Sequence, residues 1–395
     1  MSLPIDELKK SKNIAELLDA EELQEIGTKV LDTFKLDDDS RTEWKDLIDK
    51  AMSIAKQTLE AKNYPFPNSA NIKYPLITRA AIDFAARTYP EMIQNTRVVK
   101  ATVIGKDTDN KKADRASRVS QHMSFQLLKE MDNWEGNLDS LLHILPIMGT
   151  VFKKTYYNPL LKKPVSELCL PHKIVVNYSI TSLEQARRIS HILSFHKNDI
   201  IERIRSGLFC DIDLDCLIEN EDNQQDEDSL VELIEQHCYL DLDDDGYQEP
   251  YIVTVHKATG KVLRIVSRFK TINKNSDNEI ISITPENYFI DFHFIRSPDG
   301  GFYSVGLGTL LYPLNEAINT LINQLIDAGT LNNTQGGFLG KGLRLKNGDL
   351  NLRLGEWKVL DASSGTNLTQ NIVPLPTKEP SQTLFQLLGF LTEAG

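Results

Sequence analysis

Cysteine is scarce in this chain, and where it occurs it builds no framework. Cys169, Cys210, Cys216 and Cys238 are spread over 395 residues, too few and too scattered for a disulfide scaffold. Cys210, Cys216 and the His237-Cys238 pair lack the C-x-x-C knuckle of a zinc site. Ordinary reduced thiols and a cytoplasmic folding compartment are the expectation. Catalytic signatures are missing as well: there is no H-E-x-x-H, no G-x-S-x-G and no strand-linked G-x-G-x-x-G. The eight histidines are scattered, and His191 and His196, five apart in an apolar strand-like stretch, read as packed or surface residues. No catalytic residue is assigned, and the expectation is a protein that is not an enzyme. Long uncharged apolar runs are also lacking. The nearest, residues 309–331, carries Asn, Gln, Glu and Asp that are too costly to bury in a bilayer. No apolar run of signal-peptide type follows Met1-Ser-Leu-Pro-Ile-Asp6. Neither membrane insertion nor secretion by that route is expected. Positive charge is in deficit, with 44 Lys and Arg against 56 Asp and Glu and a net charge of −12. Proteins that read duplex DNA neutralise phosphates with basic clusters, so that class is excluded.

What is present is an α+β pattern that changes character along the chain. Residues 1–200 read as a helix-rich region. Glu16–Phe34 is an acidic helix, and Asp37-Asp-Asp-Ser40 ends it and starts another. Ser40 with Glu43 has capping-box spacing, and Trp44, Leu47, Ile48 and Ile54 give the second helix an apolar side. Pro75 suits the first helical position ahead of Leu76–Arg87. Val98–Ile104 has strand character, Lys111–Met131 is a long helix, and Trp134–Leu145 is a helix stopped by Pro146. Val151–Tyr157 alternates as a strand does.

Residues 201–298 form the second region. Between Asp211 and Asp245 there are 15 Asp or Glu and no Lys or Arg. That run is either a solvated, partly flexible face or an acidic surface turned toward a lumen or a partner. A hairpin follows, with Tyr251, Val253 and Val255 alternating, a turn at Ala258-Thr-Gly260 and a return over Val262–Arg268. Further strands at Glu279–Ile283 and Tyr288–Phe294 complete a small β module. Asp241-Leu-Asp-Asp-Asp-Gly-Tyr-Gln-Glu249 matches the first half of a calcium loop, D-x-D-x-D-G. An EF-hand needs a bidentate Glu at its twelfth position, where this chain has Ile252. Asp241, Asp243 and Asp245 are therefore candidate calcium ligands, with an acidic turn before a hairpin as the competing reading.

Residues 299–395 hold the most informative stretch. Leu311, Leu314, Ile318, Leu321, Ile322 and Leu325 recur at helical spacing, giving one buried face. Asn315, Asn319, Asn323 and Asp327 follow each other four apart and form a second, nearly uncharged stripe. Exposed helices usually carry Lys and Glu, so an amide stripe suggests a face toward a neighbouring chain or a channel. Gly336, Gly337, Gly340 and Gly342 follow. Gln335 and Gly342 stand where a phosphate-binding loop needs Gly and Ser or Thr, so this is not an ATP site. Lys341, Arg344 and Lys346 are candidate phosphate contacts, against a solvated hairpin face. Leu343–Leu354 reads as a hairpin about Asn347-Gly348. Ala362–Pro380 is a long polar loop, and Ser381 opens an apolar helix.

The stretch Gly306–Gly329 resembles portal (head-to-tail connector) proteins of short-tailed double-stranded DNA bacteriophages. Tyr64-Pro-Phe-Pro-Asn68 through Pro75, Leu145–Lys153, Glu249–Val255 and Gln335–Gly342 are similar to that family in the same order. The resemblance covers roughly residues 60–395. It implies a homo-oligomeric ring, typically of twelve subunits, with a helix-rich wing, a small β module as clip or wing strands, and long stem or channel helices. The family's C-terminal crown would be missing, as though the chain were truncated. It also implies docking of the terminase, contacts with scaffolding, major capsid, head-completion and tail proteins, and passage of double-stranded DNA without sequence specificity. Assembly in the host cytoplasm and residence at the capsid vertex of the virion follow, with no cofactor. An acidic wall suits a conduit, because DNA must slide through it without sticking. The alternative reading is an acidic calcium-binding structural protein. A third, an enzyme acting on nucleic acid, would need a carboxylate set outside the acidic run.

Overall fold

The computed structural model describes residues 5–58, 62, 69–93, 98–211, 230–243, 245–274, 280–333, 337–339, 344–345, 360–361, 372–374 and 381–395. The chain mixes helix and sheet. It divides into two compact units: Met1–Lys56 with Ile77–Leu310, and Gln57–Leu76 with Leu311–Gly395. A boundary at residue 200 is not observed, because strands on either side of it pair in one sheet. The segment Gln57–Leu76 joins the C-terminal unit through long-range bonds that no local pattern announces.

The first unit opens with α1 (Ile5–Lys10), α2 (Ala20–Ser40) and α3 (Thr42–Ala55). A capping box starts α2: Asp19 accepts from the Glu21 and Glu22 amides, and the Glu22 side chain accepts from the Asp19 amide. The box expected at Ser40 and Glu43 does not form. The Ser40 hydroxyl donates instead to the Asp37 carbonyl, and Arg41 starts α3 with no side-chain cap. Arg41 is fully buried and serves a different purpose. Its guanidinium donates to the carbonyls of Pro171 (2.8 Å), Ile174 (2.9 Å) and His172 (3.1 Å), and it pairs with Asp38 at 2.9 Å. Neighbouring Asp37 accepts from Asn177 and Arg188. The junction of the two helices is thereby fastened to residues 171–188.

Next come α4 (Leu76–Met92), α5 (Lys111–Phe125) with a wider turn over Gln126–Glu130, and α6 (Trp134–Met148). Pro146 lies inside α6. The helix stops at Gly149, whose φ of +82° only glycine adopts cheaply, and where a Cβ would meet the Ser304 carbonyl oxygen at 2.2 Å. Residues 98–104 are not a strand. Ser120 and Ser124 of α5 bond to the backbone of Val99 instead, and Ile104 is 92% exposed.

Three antiparallel sheets complete this unit. β1 (Thr150–Asn158) pairs with β2 (Lys163–Cys169) on one side and β10 (Phe289–His293) on the other. The largest sheet has the order β3 (Ile174–Val175), β4 (Ile189–His196), β5 (Leu230–Leu240), β6 (Glu249–His256) and β7 (Val262–Ser267). β8 (Phe269–Lys274) pairs with β9 (Ile280–Pro285), a pair of which the sequence pattern pointed only to the second member. The helix α7 (Lys197–Arg205) follows β4. Ile26, Val30 and Phe34 of α2 pack on Ile234, Val253, Val255 and Ile265 of the large sheet. Their approach is close enough that a Cβ on Gly27 would fall 2.1 Å from the Gly260 carbonyl oxygen at the β6–β7 turn. A second core gathers Trp44, Ile48, Met148, Phe152, Phe289, Phe302 and Tyr303, with Trp44 and Tyr303 rings 4.2 Å apart.

The acidic run thus ends in structure. Residues 212–229 lie outside the described residues, but Leu230–Leu240 is the middle strand of the large sheet, buried along most of its length.

The second unit is built on α8 (Leu307–Asn333), whose first turn belongs to the other unit. Twenty-seven residues at 1.5 Å each make a rod about 40 Å long. β11 (Gly337–Leu339) pairs with β14 (Ile372–Pro374), and β12 (Arg344–Leu345) pairs with β13 (Leu360–Asp361). The expected hairpin partner at 350–354 and its Asn347-Gly348 turn lie outside the described residues, as do Lys341, Lys346 and most of Ala362–Pro380. α9 (Gln382–Ala394) is capped as expected, by the Ser381 hydroxyl accepting from the Thr383 amide. Among the described residues no helix is long and apolar enough to cross a membrane.

Candidate functional site

Three polar constellations stand out. The first is the amide stripe of α8. Asn319, Asn323 and Asp327 each accept a hydrogen bond of 2.7 Å, from the backbone amides of Tyr74, Ile72 and Ala70 respectively. The Asn323 side-chain amide also donates to the Ile72 carbonyl at 3.1 Å. The segment 70–74 is extended and runs antiparallel to the helix. The match is metric: four helical residues advance about 6 Å, and two extended residues about 6.6 Å. An acceptor every fourth helical residue therefore meets an amide at every second residue of the strap. The series breaks at the next step. The Leu76 amide, which would face Asn315, bonds to the Tyr74 carbonyl as α4 begins. Asn315 is 0% exposed, and neither polar atom of its side chain has a hydrogen-bond partner. All four stripe residues are buried. Of the residues expected to face a neighbouring chain or a channel, Asn319, Asn323 and Asp327 are bonded to residues 70–74 of the same chain.

The second constellation is the acidic turn between β5 and β6. Oxygens of Asp241, Asp243, Asp245 and Glu249 all lie within 4.8 Å of one another. Gly246, at φ +88°, bends the turn, and its amide bonds to Asp241 at 3.0 Å. The Tyr247 amide bonds to Asp245 at 2.7 Å. Asp245 is exposed, but Glu249 is 0% exposed. Glu249 Oε2 accepts from the Tyr251 hydroxyl at 3.4 Å, while Oε1 has no partner; Asp241 Oδ1 and Asp243 Oδ1 are likewise buried and unpaired. Burial first, and the Asp243 charge second, push the Glu249 carboxyl up to about 7. Burial and then Asp245 raise Asp243 as well. The sequence pattern pointed to the three aspartates. It missed Glu249, because the loop template looks for its glutamate three residues later.

The third is a cleft of about 890 Å³ between the β10-β1-β2 sheet and the five-stranded sheet. Lys154 donates to both Glu235 oxygens, at 2.7 and 2.9 Å, and His237 Nε2 lies 3.1 Å from Glu235 Oε1. Burial alone would raise the Glu235 carboxyl, but Lys154 and His237 hold it well below the usual range. Burial keeps His191 and His237 neutral, lowering them to about 3 and about 4. Burial also pushes the Cys169 thiol up to about 12, so it is a poor nucleophile. This is a neutralised structural cluster and offers neither an activated nucleophile nor a base poised near neutrality.

The remaining candidates do not converge. Cys210 accepts from Asn13, Cys238 packs in the core beneath α2, and His237 faces the cleft. Cys216 lies outside the described residues. No zinc set forms among the described residues. Arg344 is in register with Asp361.

A comparison with known protein families and with curated proteins finds no match to this chain.

Proposed function

We propose that this chain is a subunit of a portal, the ring through which double-stranded DNA enters and leaves the capsid of a short-tailed phage. The observation that carries the reading is the ordered set of resembling segments at residues 64–75, 145–153, 249–255, 306–329 and 335–342. Two of these contribute the two sides of one seam, since residues 70–74 are bonded to Asn319, Asn323 and Asp327. Their joint occurrence therefore reflects one physical unit, a long helix with a strap bonded along it.

Further support comes from surface character. The helix α9 has no buried residue although Phe385 is 56% and Phe390 68% exposed. Ile326 and Leu331 of α8 are also exposed. Apolar faces of this kind are what assembly covers. In the ring, acidic subunits surround DNA without gripping it, and specificity resides in protein contacts with the terminase, capsid, scaffolding and tail components. The stem helix contributes rigidity, and the amide seam holds each subunit's strap in place rather than lining the channel.

Mass photometry and negative-stain microscopy of the purified protein test this directly. Closed particles with a central opening and a mass near twelve times 44.7 kDa are expected. A particle that stays at 44.7 kDa at every concentration, even with capsid and scaffolding proteins supplied, overturns the reading.

A further inference from the structure

The acidic turn carries an inference that goes beyond the portal reading and does not depend on it. Four carboxylates converge there, and two backbone amides are the partners that shape the turn. No lysine or arginine pairs with any of the four among the described residues. Three buried oxygens, Asp241 Oδ1, Asp243 Oδ1 and Glu249 Oε1, are left without a partner. Buried polar atoms are rarely left so, and buried charges are paired or coordinate metals. Glu249 is the decisive group: it is wholly shielded from solvent and stands at the first residue of a sheet strand, its carboxylate belongs to the cluster, and its Oε1 has no hydrogen-bond partner.

We infer that Asp241, Asp243, Asp245 and Glu249 form a divalent-cation site that prefers calcium. All the donors are hard oxygens, and neither histidine nor cysteine belongs to the set, which disfavours zinc and softer metals. Asp241, Asp243 and Asp245 occupy the first, third and fifth positions of a calcium loop. Gly246 makes the sharp turn at the sixth, and the Tyr247 carbonyl stands at the seventh, where such loops use a main-chain oxygen. Glu249, at the ninth, takes over the closing role that an EF-hand gives to its twelfth residue. The flanks are strands instead of helices, so the ion clamps a hairpin. Leu240 and Tyr251, beside the ligands, belong to the core beneath α2. Binding therefore ties the turn to the largest sheet of the molecule.

The experiment uses the full chain after chelation and dialysis, titrated with CaCl2, with MgCl2 and with TbCl3. One calcium per chain is expected by calorimetry. Terbium luminescence sensitised by Tyr247 and Tyr251 should appear and be displaced by calcium, and the melting temperature should rise with calcium more than with magnesium. Glu249→Gln should weaken calcium binding at least about ten-fold through loss of a charged ligand, while the metal-free protein still unfolds cooperatively. Asp245→Asn, at the exposed edge of the site, should weaken it in the same direction, so the test stands even if the buried variant folds poorly. Absence of both binding heat and a melting shift at millimolar calcium overturns the proposal. So does calcium affinity unchanged in both variants. Ring formation is read separately, so failure of either proposal leaves the other standing.

Discussion

In the unit built on α8, three of the four buried polar side chains of the stripe are neutral amides; the sheet unit, by contrast, buries full charges. The two solutions carry different costs. An amide out of water needs one or two hydrogen bonds, and an extended strap of the same chain supplies them at a fixed spacing. A carboxylate out of water needs a countercharge. Glu235 has one in Lys154, at 2.7 Å. Among the described residues Asp241, Asp243 and Glu249 have no lysine or arginine partner, and each has a buried oxygen without a hydrogen bond. Neutral seams can be long and repetitive, whereas charged clusters are short and must balance locally.

The largest effect should come from unbalancing the charged region. Lys154→Met leaves Glu235 buried beside a neutral partner, and the loss in chemical denaturation should be about 3–5 kcal/mol. Adding Glu235→Leu should restore most of it, because an apolar pair of similar volume often does as well as a buried ion pair. A single mutant as stable as the parent would mean that the cleft admits enough water to screen the charge, and the contrast between the units would collapse.

A smaller loss is expected from the seam. Asn323 is bonded to both the amide and the carbonyl of Ile72, so Asn323→Leu orphans two backbone groups at a cost of about 2–4 kcal/mol. Hydrogen exchange should report it as faster exchange at Ile72 and Tyr74, with the large sheet unaffected. A change confined to subunit assembly, with exchange at residues 70–74 unaltered, would return the stripe to an intersubunit role.

Much of this molecule was legible locally. The apolar face of α8, the β6–β7 hairpin, β1 and the α9 cap follow from periodicity and turn residues within a dozen positions. What escaped was set by distant partners. Nothing local marks Arg41 for burial, because the carbonyls it donates to are 130 or more residues away. The amide stripe was recognisable as unusual, yet its partner lies some 250 residues earlier, in a strap whose extended form is only hinted at by Tyr74 preceding Pro75. Pro146 read as a stop, although Gly149 was the residue with the conformation that ends the helix. Glu249 was overlooked because a motif template fixed its position, while the hairpin brings the ninth residue of the loop into the cluster.

Asn315 offers the finest discrimination. It belongs to the stripe by spacing but not by bonding: it is fully buried, and both polar atoms of its side chain are unpaired where the strap turns away into α4. If the seam is held by hydrogen bonds to the strap, Asn315 contributes none, and its desolvated amide opposes folding. Asn315→Leu should therefore be neutral or stabilising by about 1 kcal/mol, in contrast to the same change at Asn323. Thermal unfolding of the two variants side by side reads the difference. A marked loss from Asn315→Leu would show that spacing on the helix, rather than the strap's amides, is what the stripe requires. The direction of that one substitution thus separates a ladder of individual bonds from a general preference for polar groups along α8.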